Sequence, residues 1–231
     1  EASALLGAAL EAGFDLVDVE LALGGAGLLG LPRERVVVSS HAFERTPDDL
    51  EERAARLEET GARYAKLVVA AQGLEDALRL LRLQAARGRE GRLAAFGMGE
   101  AALVTRALSP YLGASLSFGA ALADEATAPG QLPAADLLDV FAVGRPRRVE
   151  ALYALLGGRV SHSLSPAIHN ALFEELALPS LYVPVALASL ASEVGPLRDA
   201  FDELGVPLRG ASVTVPFKEE AAALAGAPGE A

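Results

Sequence analysis

The sequence predicts an α/β protein in two parts: an incomplete (β/α)8 barrel of about five strands, then a βαβαβα unit. Short β-branched runs alternate with amphipathic stretches, the pattern of parallel strands joined by crossover helices. The first series stops short of the eight units that close a barrel over ~250 residues. A break rich in Gly, Pro and Arg, "VGRPRRVEA" (143–151), then restarts the alternation. These observations place the barrel part at 1–142, a linker at 143–150 and the second part at 151–231.

Taken in order, "FDLVDVEL" (14–21) alternates apolar and acidic residues and reads as a strand. "RVVVSSHAF" (35–43) is the next. In "TPDDLEERAARLEETGA", Thr46 is the expected N-cap and Pro47 the first helical residue. "YAKLVVAA" (64–71) precedes the helix "LEDALRLLRLQAARG". "RLAAFGMG" (92–99) and "ASLSFGAAL" (114–122) are the fourth and fifth strands, with a helix between them and another over 133–141. After the break, strand "LYALLGG" leads to a helix over 166–177. Strand "LYVPVAL" leads to a helix over 189–204, and "GASVTVP" (210–216) to the helix "FKEEAAALAG".

Composition narrows the function. A net charge of −11 argues against a nucleic-acid surface, which needs clustered Lys and Arg. No apolar run approaches the ~20 residues of a membrane span, and a cytoplasmic location is expected. Without cysteine there is no disulfide, thiolate nucleophile or Cys-ligated zinc. The single methionine is internal and the chain opens inside a helical pattern, so a piece of a longer protein is expected.

One motif is a decoy. "GAGLLG" (25–30) matches G-x-G-x-x-G, but a dinucleotide fingerprint must open a helix that carries the pyrophosphate. Pro32 and the strand near Arg35 leave no room for one, and a flexible loop is expected.

Two residues of the first part invite chemistry. Lys66 lies among Tyr64, Ala65, Leu67, Val68 and Val69, where a strand buried on both faces rarely holds an amine. It is either a lysine snorkelling to water or an amine desolvated into a nucleophile that forms a Schiff base with a ketone. His41 ends the preceding strand and is either a loop histidine or a proton shuttle beside Lys66.

"VVVSSHAFERTP", "YAKLVVAA", "FGMGEAALVTR" and "ATAPGQ" resemble, in order and spacing, the motifs of type I 3-dehydroquinate dehydratase. The resemblance covers about residues 1–142 and implies a (β/α)8 barrel that removes water from 3-dehydroquinate through a lysine Schiff base. It makes Lys66 that lysine and His41 the general acid/base. Arg106 becomes the ligand of the substrate carboxylate, and Thr127 and Gln131 hold ring hydroxyls or the carboxylate. The chain departs from the family at Ala42, Ala102 and Thr127, where Asp, Gly and Ser are usual. Asp18 and Glu20 share a strand face and receive no catalytic role; they are expected to line the polar inside of their strand end.

In the second part, "SHSLSPAIHN" (161–170) follows a strand. Ser165 suits an N-cap before Pro166, which leaves Ser163 unexplained. Two hydroxyls beside a helix N-terminus form a carboxylate cradle. Lys218 opens the last helix, where a cation is disfavoured, so it either pairs locally or has a function.

"GRVSHSLSPAIHN", "YVPVAL" and "GASVTVPFKEE" closely resemble the substrate-binding domain of shikimate dehydrogenase, over residues 151–226. That family reduces 3-dehydroshikimate to shikimate with NADPH. The resemblance implies that Ser163 and Ser165 bind the substrate carboxylate, Thr214 a ring hydroxyl, and that Lys218 is the catalytic lysine. Ser212 stands where Asn is usual. His162 is expected to be structural and His169 to pack its helix, with no metal site. NADP is implied by the family, with its binding domain outside this sequence.

The product of the first reaction is the substrate of the second, so the two resemblances describe a fused shikimate-pathway enzyme of aromatic amino acid biosynthesis. Its partners are small cyclic acids, with no nucleic acid and no membrane. A quinate/shikimate dehydrogenase and a non-catalytic quinate-sensing regulator are the alternatives. Dehydrogenase turnover is not expected from these residues alone, and little or no dehydratase turnover.

Overall fold

The computed structural model describes residues 2–23, 25–122, 126–145 and 148–226. The first part contains α1 (Ala2–Glu11), β1 (Val17–Glu20), β2 (Val36–Ala42), α2 (Leu50–Glu59), β3 (Tyr64–Ala70), α3 (Leu74–Arg87), β4 (Leu93–Met98), α4 (Leu103–Leu108) and α5 (Ala134–Asp139). Its four strands pair in sequence order, all parallel, in one open sheet. The register sets Glu20 opposite Ser39, Ser39 opposite Lys66 and Lys66 opposite Ala94.

Strand side chains alternate, so this register sorts the sheet into two faces. Val17, Val19, Val36, Val38, Ala65, Leu67, Val69 and Leu93 pack against Leu10 of α1, Leu50, Ala54 and Leu57 of α2 and Leu80 and Leu83 of α3. The opposite face carries Asp18, Glu20, Ser39, His41 and Lys66 towards β1, and Val68, Ala94, Phe96 and Met98 towards β4. The second group forms a small apolar cluster with Leu116 and Phe118.

Three local expectations need correction. Residues 114–122 form no strand: Ala120 makes one isolated bridge to Pro133. Leu116 and Phe118 still face the inner cluster, while Ala120 exchanges backbone bonds with Leu132 and Ala134 instead of a neighbouring strand. Thr46 does not cap α2, whose N-cap position is Asp49; its hydroxyl donates to the carbonyl of Ala70 at 3.0 Å and ties the loop to the end of β3. The "GAGLLG" stretch is a pair of 3-10 turns with Leu28 and Leu29 in the left-handed region. No helix opens from it, and Leu28 is wholly buried.

The second part contains β5 (Ala151–Gly157), α6 (Ser165–Glu175), β6 (Ser180–Ala186), α7 (Leu190–Glu203), β7 (Leu208–Val213) and α8 (Lys218–Leu224). Its parallel sheet has the order β6-β5-β7. Ser165 is the first residue of α6 rather than its cap; Leu164 holds the cap position without a side-chain bond. The hydroxyl of Ser163 does that work, accepting from the Ser165 amide at 3.1 Å. At the far edge, β7 leaves Arg209, Ala211 and Ser212 exposed.

Each part has its own sheet, but one hydrophobic core crosses between them. Leu152, Ala154 and Leu156 of β5 and Leu181, Val183 and Val185 of β6 cluster with Leu197 and Phe201 of α7. Leu74, Leu78 and Leu81 of α3 and Val104, Ala107 and Leu108 of α4 belong to the same cluster. Helix α4 contacts the edge strand β6, so a helix of the first part covers an edge of the second. Leu152→Ala is therefore expected to cost about 2–5 kcal/mol. In urea monitored by amide exchange, α3 and β5 should lose protection in one transition; two separate transitions would refute the shared core.

Candidate active site

The polar face of the first sheet is a chain of contacts. The Lys66 ammonium donates to Asp18 Oδ2 at 2.5 Å, and His41 Nδ1 lies 2.5 Å from Glu20 Oε2. Ser39, 1% exposed, sits between them and donates to Asp18 Oδ1 at 2.5 Å, with Glu20 Oε2 at 3.3 Å. Lys66 is 9% exposed, and its ammonium lies 4.6 Å from the centre of the Phe118 ring. Burial of this kind requires the counter-ion that Asp18 supplies.

Arg106 approaches from α4. It is 6% exposed, with its guanidinium 4.7 Å from the centre of the Phe96 ring. Its bond to the Phe118 carbonyl is long, at 3.4 Å, and Nε has no partner among the described residues. No carboxylate meets it among the described residues, and burial pushes the guanidinium down to about 10. A buried cation with a free donor is a receptor for an anion.

Thr127 and Gln131 close the site. The Thr127 amide and hydroxyl donate to Gln131 Oε1 at 2.8 and 3.0 Å. His41, Lys66, Arg106, Thr127 and Gln131 line one cavity of about 210 Å³, floored by Val68, Phe96, Met98 and Phe118. The structure thus brings together the five residues singled out in the first part of the sequence. Asp18, Glu20 and Ser39 extend that set. Their signal was available in the alternation of "DVE" and "VSSH", which puts them on the face of Lys66 and His41.

The second part is more open. Ser163 lines a cavity of about 170 Å³ with Ser161, His162 and Leu164, and with Leu103, Asp136 and Phe141 of the first part. Ser165, Thr214 and Lys218 are not among its walls. Thr214 follows β7, and its amide donates to the Leu156 carbonyl at 2.8 Å. A Cβ on Gly157, the last residue of β5, would stand 2.4 Å from Thr214 Cγ2, so a side chain there would force the Thr214 segment to shift. Lys218 is exposed at the start of α8, with no hydrogen bond or ion pair among the described residues. His169 stacks on Tyr182 at 4.3 Å, a packing role. His162 is exposed at the cavity rim. Among the described residues no cluster of His, Asp or Glu is suited to a metal ion, and no helix is long and apolar enough to cross a membrane.

Residues 1–145 match the family model of type I 3-dehydroquinase. The chain belongs to the type I 3-dehydroquinase family. Beyond that family's domain, residues 155–230 match the shikimate dehydrogenase substrate binding domain. A chloroplastic bifunctional 3-dehydroquinate dehydratase/shikimate dehydrogenase of Arabidopsis thaliana is 31% identical over 222 residues, 92% of this chain and 35% of that protein. The pentafunctional AROM polypeptide of Lachancea thermotolerans is 28% identical over 93% of this chain and 13% of its own length. A solved structure of dehydroquinate dehydratase and shikimate dehydrogenase from S. pombe AroM covers 96% of the chain and 42% of its own, at 25% identity and a TM-score of 0.49. The chain thus spans about a third of the Arabidopsis relative.

The uncompensated charge of Arg106 gives a prediction with a defined sign. At neutral pH the folded and unfolded chains both carry the proton, so the cost of burying it is fully present. It is relieved only as pH rises through about 10, where the folded state sheds the proton first. Arg106→Met should therefore raise stability at pH 7, by up to about 3 kcal/mol. Carboxylate ligands should raise the Tm of the parent chain and not of the variant. An unchanged or lower urea midpoint for the variant would refute this.

Proposed function

We propose that the first part dehydrates 3-dehydroquinate to 3-dehydroshikimate through a Schiff base on Lys66, with His41 as general acid/base. One observation carries this reading: a buried amine and an imidazole on adjacent strands line one cavity with a buried guanidinium that meets no carboxylate among the described residues. Arg106 holds the substrate carboxylate, and Thr127 and Gln131 receive ring hydroxyls. Asp18 is placed to take the proton that the Lys66 ammonium must lose before it attacks. The amine adds to the ketone and water leaves, giving an imine. The imine acidifies the neighbouring C–H. With His41 Nδ1 donating to Glu20, Nε2 holds the lone pair that takes this proton. The proton returns to the departing hydroxyl, which leaves as water, and a second water hydrolyses the imine.

The second part, on this reading, receives the product. Ser163 and Ser165 hold its carboxylate, Thr214 a ring hydroxyl, and the Lys218 ammonium is the proton donor for its ketone oxygen. The whole protein is read as a shikimate-pathway enzyme that acts in the cytoplasm, with the boundary between its domains at 143–150. NADPH supplies the hydride in that family. The described residues do not fit a dinucleotide: their G-x-G-x-x-G stretch forms 3-10 turns and opens no helix.

Incubating the chain with 3-dehydroquinate and borohydride should fix a covalent adduct on Lys66, read by peptide mass spectrometry. Lys66→Met should give none. His41→Asn should still give the adduct, because it leaves the nucleophile in place. Trapping on another lysine, or none on the parent chain, would overturn the reading.

A further inference from the structure

We infer that Glu100, a residue of the first part, is the positioning residue of the serine loop in the second. Glu100 follows β4 and is half-buried. Its Oε1 accepts from the amides of Val160 at 2.6 Å and Ser161 at 2.9 Å, across sixty residues of chain. A carboxylate taking two backbone N–H groups is among the stronger hydrogen-bond arrangements in proteins.

The anchored loop is built so that fixing its start fixes its hydroxyls. The Ser163 amide donates to the Val160 carbonyl at 3.2 Å, closing the turn, and Ser163 Oγ accepts from the Ser165 amide. Val160 is 2% exposed in an apolar cluster with Leu103 of α4 and with Leu155, Phe173 and Tyr182 of the second part. The same cross-part packing walls the cavity that Ser163 lines. The serine loop is therefore held at its root by the first part, through one carboxylate and one leucine.

Glu100 is also tied to the first cavity. The amide of its neighbour Gly99 donates to the Pro129 carbonyl at 2.9 Å. A Cβ on Gly130 would stand 2.6 Å from the Gly99 carbonyl oxygen. The loop of Thr127 and Gln131 thus rests on Gly99, and the loop of Ser163 hangs from Glu100. Two adjacent residues set the loops of both candidate sites.

The charge of Glu100 is not what the serine loop needs. A carboxylate near an anion site repels its ligand, so its value there is as an acceptor. This predicts a particular order among variants. Glu100→Gln keeps an acceptor and loses the charge; Glu100→Ala loses both.

The inference rests, for its ligand, on the reading of the serine loop as a carboxylate site. The test uses the whole chain and two measurements. Amide exchange of Val160 and Ser161 should speed up about tenfold or more in Glu100→Ala, which loses the acceptor, and by no more than about threefold in Glu100→Gln, which keeps it. Shikimate binding, followed by shifts of the Ser163 and Ser165 amides, should weaken by about tenfold in Glu100→Ala and by no more than about threefold in Glu100→Gln. Shikimate methyl ester, which lacks the carboxylate, should not separate the variants; a merely structural loss would weaken both ligands alike. Unchanged exchange in a folded Glu100→Ala overturns the anchor. If Glu100→Ala does not fold, a loss of shikimate affinity in Glu100→Gln as great as that expected for Ala overturns it instead. Failure of the parent chain to bind shikimate overturns the carboxylate reading of the loop, and the anchor is then judged on exchange alone.

Discussion

A single short strand governs the chemistry of the first part. β1 offers two carboxylates to one face of a parallel sheet, and the two cationic or basic side chains beside them, on β2 and β3, are each claimed by one. A charge buried as deeply as that of Lys66 is stabilised by a partner, because leaving it unmatched costs more than most single packing contacts contribute. Ser39 is the hinge of the arrangement: one hydroxyl proton serves two acid groups, so their separation and orientation are fixed together. The apolar side of the same sheet needs no such bookkeeping, and it is there that α1, α2 and α3 supply the packing that keeps the polar side in register.

Arg106 stands outside that economy of pairs. Lys66, the other buried cation on this face, has Asp18 as its partner, while among the described residues the guanidinium has an aromatic face and a distant carbonyl. Stability alone would not choose such a residue. Its position is intelligible if a ligand completes it, which is why the cavity, rather than the fold, explains Arg106.

Much of this was legible from residue order. An amine amid "YA-LVV" conflicts with the burial of its strand, and the conflict is the signal that located Lys66. The same alternation put Asp18 and Glu20 on one face, but not which strand would lie beside them; the pairing of β1 with β2 is a tertiary fact. Residues 114–122 show the opposite failure. Their apolar pattern is right, and Leu116 and Phe118 do face the core, but a strand also needs a neighbour with free backbone groups. Thr46 carries the chemistry of a cap and spends it on a carbonyl of β3. In the second part the element order was readable, whereas the placement of Lys218 in solvent and of Ser163 against Phe141 was not. A boundary marked by Gly, Pro and Arg gives no hint that apolar residues on either side will share one core.

The two edges of the second sheet differ in kind. β6 lies against α4, but β7 presents small, exposed side chains and one arginine, Arg209, at an irregularity in its pairing with β5. Such a border can recruit another strand, and its self-association is restrained by Arg209 and by the mutual repulsion of molecules that each bear a net charge of −11. Concentrated salt screens that repulsion and so favours association at exposed edges of this kind, and dilute buffer opposes it.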